Sequence, residues 1–166
     1  LTGQSYRDYR NVSAVLGILE RLHAACDPAE ALEQFLGSAL ELSGAAEAYL
    51  FLTPEEGCSL RAHRTASPLA PEPLKARTRE LLKRAEALGE ARHPVSDREP
   101  LARSLALFWV PLWVQDQAVG LLALVGEPAR LGVDQVDQPF FEALAREVSF
   151  SLYWMLREEG KQEELR

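Results

Sequence analysis

Apolar and polar positions divide the chain into segments of two different periods. From about Tyr6 to Ala25, Val12, Val15, Leu19, Leu22 and Cys26 recur three or four residues apart and fall on one helical stripe. Asp27-Pro28 then reads as a helix start, with Asp27 as N-cap and Pro28 at the first helical position. A second amphipathic helix runs through Leu32, Phe35, Leu36, Ala39, Leu40 and Leu42, and Gly44 suits its C-terminal cap. The period next drops to two. Ala46–Thr53 (AEAYLFLT) predicts a short strand, Pro54-Glu55-Glu56-Gly57 a turn, and Cys58–Ala66 a half-buried strand in which Leu60 and Ala62 oppose Arg61 and His63.

Ser67–Arg103 is the least regular stretch. It carries Pro68, Pro71 and Pro73, one predicted helix over Leu74–Leu88 ended by Gly89, a short stretch near Ala91–Val95, and a loop with Asp97 and Pro100. Two apolar runs around Gln115-Asp116-Gln117 then predict a strand hairpin. A loop with Pro128, Gly132 and Asp134 leads to a long helix from about Asp137 to the C-terminus. Successive strands joined by tight turns imply an antiparallel sheet.

The hairpin does not alternate. Val119-Gly120-Leu121-Leu122-Ala123-Leu124-Val125 is apolar on both parities, so both faces must be covered. The terminal helices can cover one face, which leaves the Ser67–Arg103 insertion for the other. Phe108, Val110, Leu112 and Val114 share one parity and suit helix packing; Trp109 and Trp113 point the other way, either lining a pocket under the insertion or serving as core aromatics beneath it. Pro111 cannot donate to a ladder, so it belongs at an edge, a bulge or an unpaired position.

Composition narrows the class. A hydrophobic fraction of 47% and a charged fraction of 26% over 166 residues fit one globular domain spanning residues 1–166. A net charge of −7 argues against a general nucleic-acid binder. Two cysteines are too few for a disulfide framework, which makes the reducing cytoplasm the expected location. The longest apolar run, Leu105–Val114, is about half the ~20 residues of a membrane span, so no membrane insertion is expected. The chain opens on Leu1, as a piece cut from a longer protein would.

Charge is unevenly spread. Arg61 to Arg103 holds ten Lys or Arg against six Asp or Glu, so the expected pocket cover is the basic part of an acidic protein. Arg61, His63, Arg98 or Arg103 would favour an anionic ligand if directed inward; otherwise they are solvated or paired with acids. No phosphate loop, nucleophile elbow or Cys-x-x-Cys pair is present. His23 and Cys26 are three apart on a helix, but Cys26 reads as a small buried hydrophobe, and His63 and His93 lack ligand spacing, so no metal site is expected.

The last helix is apolar around most of its circumference: Phe141, Leu144, Val148, Ser151 and Met155 form a stripe, Leu152 and Leu156 widen it, and Phe150, Tyr153 and Trp154 extend it. A helix apolar on several faces needs several partners. The sheet is one, and the first helix with its copy in a second subunit supplies others. Val12, Leu19, Val148, Leu152 and Met155 are therefore the expected homodimer contacts, and the polar residues 157–166 resemble a helical linker to an output domain.

Taken together, Val110-Pro111-Leu112, the polar turn, Val119-Gly120-Leu121-Leu122-Ala123-Leu124 and, after a loop, Phe140-Phe141-Glu142-Ala143-Leu144-Ala145-Arg146-Glu147-Val148 resemble the C-terminal half of a GAF domain. The opening helices and the Ala46–Thr53 strand fit its N-terminal half, so the resemblance covers about residues 10–157. It implies an α+β fold, with a central antiparallel sheet, terminal helices on one face and a loop-and-helix lid over a pocket on the other. It also implies a regulatory, non-catalytic sensor that reports a small molecule to an output domain, often as a dimer. Cyclic-nucleotide-binding members carry Asn-Lys after the last strand, where this chain has Gly126-Glu127; bilin-binding members use a cysteine commonly beside histidine, and methionine-sulfoxide-reducing members a cysteine cluster, neither of which Cys26 and Cys58 reproduce. The cofactor is left unassigned. The alternative is a purely structural dimerisation and spacer module with a side-chain-filled pocket.

Overall fold

The computed structural model describes residues 28–53, 58–66, 74–88, 90–97, 100–101, 105–131 and 138–164. Helix α1 (Pro28–Ser43) leads into strands β1 (Glu47–Leu52) and β2 (Ser59–Thr65), helix α2 (Leu74–Leu88) and the short strand β3 (Val95–Ser96). The hairpin β4 (Ala106–Val114) and β5 (Gln117–Gly126), a single helical turn α3 (Pro128–Leu131) and the long helix α4 (Gln138–Glu164) complete the order. The strands form one antiparallel sheet in the order β2-β1-β5-β4-β3, an α+β architecture. The expected first helix, with Val12, Leu19, His23 and Cys26, lies outside the described residues, as does the turn at 54–57.

Local chemistry sets the element ends. Gly44 adopts φ 77°, a left-handed conformation that costs glycine nothing, and its N–H donates to the Leu40 carbonyl at 3.0 Å, closing α1. The two-residue turn of the hairpin puts Gln115 at φ 54°. The stretch read from sequence as a plain loop after β5 begins with α3. Pro128 is pre-set for a first helical position, and Leu131 is 1% exposed, so its burial holds the turn in place.

The sheet is covered on both sides. Toward α1 and α4, Ala48, Leu50, Phe108, Val110, Leu112, Leu122 and Leu124 pack with Leu32, Phe35, Leu36, Phe141 and Leu144. Toward α2, Tyr49, Phe51, Leu107, Trp109, Leu121, Ala123 and Val125 meet Leu81, with Leu82, Ala85 and Leu88 packed around it. This two-sided covering is why the β5 sequence has no polar parity. Each large apolar side chain fully buried in these layers contributes about 1.5–3 kcal/mol.

Two bulges modify the simple parity reading. On β2, Ala62 pairs with Leu50 while Leu60 pairs with Phe51, leaving Arg61 as the extra residue. Leu60 and Ala62 were expected on one face. The bulge sends them to opposite ones, Leu60 to the α2 side and Ala62 to the α1/α4 side. On β5, Gly120 pairs with Leu112 and Ala118 with Trp113, so Val119 is extra. Pro111 pairs with Leu121, and β3 reaches β4 only at Phe108 and Trp109. The proline thus falls where the outer side of β4 has no described strand partner, as its missing N–H requires.

Candidate functional site

The α2 side of the sheet carries the unusual chemistry. Glu47 and Tyr49 share the inward parity of β1 with Phe51, and Arg77 lies on α2 one turn before Leu81. All three are buried: Arg77 is 2% exposed, Tyr49 3% and Glu47 4%. The Tyr49 hydroxyl donates to Glu47 Oε1, and Arg77 Nε lies 3.5 Å from the same oxygen. A carboxylate and a guanidinium taken out of water persist only when paired, and these two pair across the lid and the sheet. Burial pushes the Tyr49 phenol well above its usual range, and the Glu47 carboxylate adds to that rise. The phenol therefore stays protonated as a donor to Glu47 at neutral pH.

Sequence reasoning placed the inward charge elsewhere. Arg61 is the half-buried bulge residue of β2. His63 is exposed, its ring stacked on that of Tyr49 with centroids 6.2 Å apart. Arg98 and Arg103 lie outside the described residues. The inward cation among the described residues of the insertion is Arg77. A signal for it existed: Arg77, Leu81, Ala85 and Leu88 fall on one helical stripe, and Glu47 occupies an inward position of an otherwise apolar strand.

The two tryptophans separate. Trp109 is fully enclosed, its Nε1 donating to Asp97 Oδ2 at 3.3 Å, so it belongs to the packed lid layer. Trp113 is half-buried, its Nε1 donates to the Ala91 carbonyl at 3.1 Å, and the Arg92 guanidinium lies 4.3 Å over its ring. Trp113 also borders two cavities. One, of about 130 Å³, lies between β5 and the end of α2 and is lined by Cys58, Ala85, Leu88 and Gly120 among others. The other, of about 260 Å³, opens at the outer edge of β4 against α4. Burial pushes the Cys58 thiol up, so little reactive thiolate is present at neutral pH. Among the described residues no three of His, Cys, Asp and Glu gather as metal ligands would, and no described helix is long and apolar enough to cross a membrane.

Of the expected dimer contacts, Leu152 is 1% exposed within the single chain and packs in the α1/α4 core. It is thus a protomer core residue, and its burial comes from its own chain. Val148 and Met155 lie on α4, but their side chains are outside the described residues, as are Val12 and Leu19. Among the described side chains of α4, Phe150 (57% exposed) and Trp154 (45%) are the large apolar ones turned outward.

Comparison with solved structures returns the same architecture. The chain superimposes on the GAF domain of an Acinetobacter phosphoenolpyruvate-protein phosphotransferase with a TM-score of 0.63 at 12% identity, covering 91% of this chain and 98% of that one. The GAF domain of a phosphoenolpyruvate-protein phosphotransferase from Coxiella burnetii gives 0.65 at 14% identity, covering 91% and 96%. That of the potassium sensor histidine kinase KdpD from Escherichia coli gives 0.58 at 13%, covering 91% and 99%. At these identities the likeness concerns the fold alone. No curated protein matches the chain. A family model described as GAF domain matches residues 27–153, most of the chain, and with the covered sheet already in view the protein belongs to the GAF domain family.

Proposed function

We propose that this is a non-catalytic sensory domain of a cytoplasmic signalling protein. It binds a small molecule between the sheet and α2, and passes the bound state through its terminal helices to an attached output domain. The single observation that carries the reading is the cavity at Trp113, between β5 and α2, beneath a lid joined to the sheet by a buried ion pair. At about 130 Å³ it takes a few heavy atoms, so the ligand is small. Support for a signalling context comes from the structural neighbours, which include a sensor kinase.

Dimerisation through α4 and the helix expected over about Tyr6–Ala25 belongs to the same proposal, with Phe150 and Trp154 as the exposed apolar contacts, joined by Val12, Leu19, Val148 and Met155. A ligand can shift the helix arrangement only if its affinity differs between the two states.

Thermal unfolding in the presence of small organic acids and inorganic anions tests the binding. A ligand at ~100 times its dissociation constant stabilises the fold by about 2.7 kcal/mol. Ala85→Phe, which fills the cavity, should remove that response while the domain stays folded. One observation favours the structural-spacer reading: Trp109, Phe51 and Leu81 already fill the centre of the lid layer. If no compound moves the transition, that reading replaces the sensor.

A further inference from the structure

We propose that the cavity at the outer edge of β4 is a binding site for a compact oxyanion, a small carboxylate- or phosphate-bearing molecule, separate from the space under α2. The cavity measures about 260 Å³, below the roughly 300–1,000 Å³ of drug-sized sites, and so fits a short carbon skeleton. Its wall brings together Arg92, His93 and Arg146 against one carboxylate, Glu142. In a chain of net charge −7 this is a local reversal of sign. Pro111 and Ala145 supply apolar surface for the rest of the ligand.

The geometry of the cations favours an oxyanion. The Arg92 guanidinium carbon lies 4.3 Å over the ring of Trp113, which is itself anchored by its bond to the Ala91 carbonyl, so this cation is already held at the cavity wall. Its contact with Asp116 is 3.4 Å long, and that carboxylate is 97% exposed, so a ligand oxygen can take its place. His93 Nδ1 lies 3.4 Å from Glu142 Oε1 and ties the segment before β3 to α4 at the mouth of the cavity. Arg146, one turn beyond Glu142, has no ion-pair partner among the described residues. Two arginines, one from each wall, supply the N–H donors that a carboxylate or phosphate accepts. Because one wall is α4, the occupant bridges the sheet edge to the C-terminal helix.

The test uses nitrogen–proton correlation spectra of the labelled protein, titrated with inorganic phosphate and with succinate, with sodium chloride at matched ionic strength as control. The Trp113 indole signal, assigned through Trp113→Phe, should shift saturably with at least one of the two probes and not with chloride. Arg92→Ala and Arg146→Ala, both at exposed positions, should each weaken that binding at least tenfold in a protein whose spectrum otherwise stays dispersed. Ala85→Phe should leave it unchanged. The proposal is overturned if neither probe gives a saturable shift, or if the double variant R92A/R146A binds like the wild type. A response lost in Ala85→Phe but kept in the arginine variants also overturns it, and places the anion under α2, where the sensor reading needs it.

Discussion

On the α1/α4 side of the sheet, the inward residues of β1, β4 and β5 are Ala48, Leu50, Phe108, Val110, Leu112, Leu122 and Leu124, all apolar. On the α2 side, Phe51, Leu107, Trp109 and Leu121 share their layer with the buried Glu47, Tyr49 and Arg77. The same strands thus present one face built like an ordinary core and another carrying an ion pair that is costly to desolvate. Burial of apolar surface suffices to hold the first face. The second uses a directional contact, which places α2 over β1 in one position but gives less cohesion than leucines of equal volume. A lid seated this way can separate from the sheet with less loss than either terminal-side helix.

The largest effect expected from this contrast is at Arg77. Arg77→Met leaves the Glu47 carboxylate buried without its cation and should lower stability by about 3–5 kcal/mol in denaturant unfolding. Combining it with Glu47→Leu and Tyr49→Phe removes both charges and the hydroxyl that donates to Glu47, and should recover that loss or exceed wild-type stability by roughly 1–4 kcal/mol. If the single variant costs under about 1 kcal/mol, Glu47 is not held by Arg77 and the two faces do not differ in kind.

Much of this contrast could be read from the sequence, and the reasons it stops are physical. Period and parity located α1, α2, β1 and the hairpin, because covering both faces of β5 leaves a run with no polar position. They also divided Phe108, Val110 and Leu112 from Trp109 correctly. Parity failed at β2, where one extra residue, Arg61, reversed the facing of Leu60 relative to Ala62; nothing in SLRAHRT marks the bulge. The charge count found the basic segment, but a count carries no direction. Only the helical stripe through Arg77 and Leu81 turns it into an inward guanidinium. The edge cavity escaped the sequence reading entirely, since Arg92, Trp113 and Arg146 meet only through the sheet order and the path of α4.

A second, smaller effect follows from Tyr49. Its phenol is raised by burial and then by Glu47, so the folded state keeps a proton that the unfolded chain releases near pH 10. Below that pH both states are protonated and the contribution is complete. Above it the unfolded state binds fewer protons, and stability falls by up to about 1.4 kcal/mol per pH unit. Tyr49→Phe should flatten this alkaline decline in chemical unfolding between pH 9 and 11. An equal slope in the variant would mean that another group titrates and that the α2 face is not the alkali-sensitive one.

The smallest global effect should come from Arg84, and it sharpens the comparison most. This α2 side chain contacts Glu80 at 3.3 Å and Asp97 at 3.6 Å and donates to the Pro100 carbonyl at 3.0 Å, so it ties the lid to the segment that follows β3. The group is about one-fifth exposed, and such pairs contribute roughly 0–1 kcal/mol. Arg84→Ala should therefore leave the unfolding midpoint almost unchanged. Amide hydrogen exchange should nonetheless quicken in α2 while α1 keeps its protection, because local opening of the lid has lost a tether and the α1/α4 core has lost nothing. Equal acceleration in both helices would mean that the two covers open as one unit, and that the lid is no looser than the helices across the sheet.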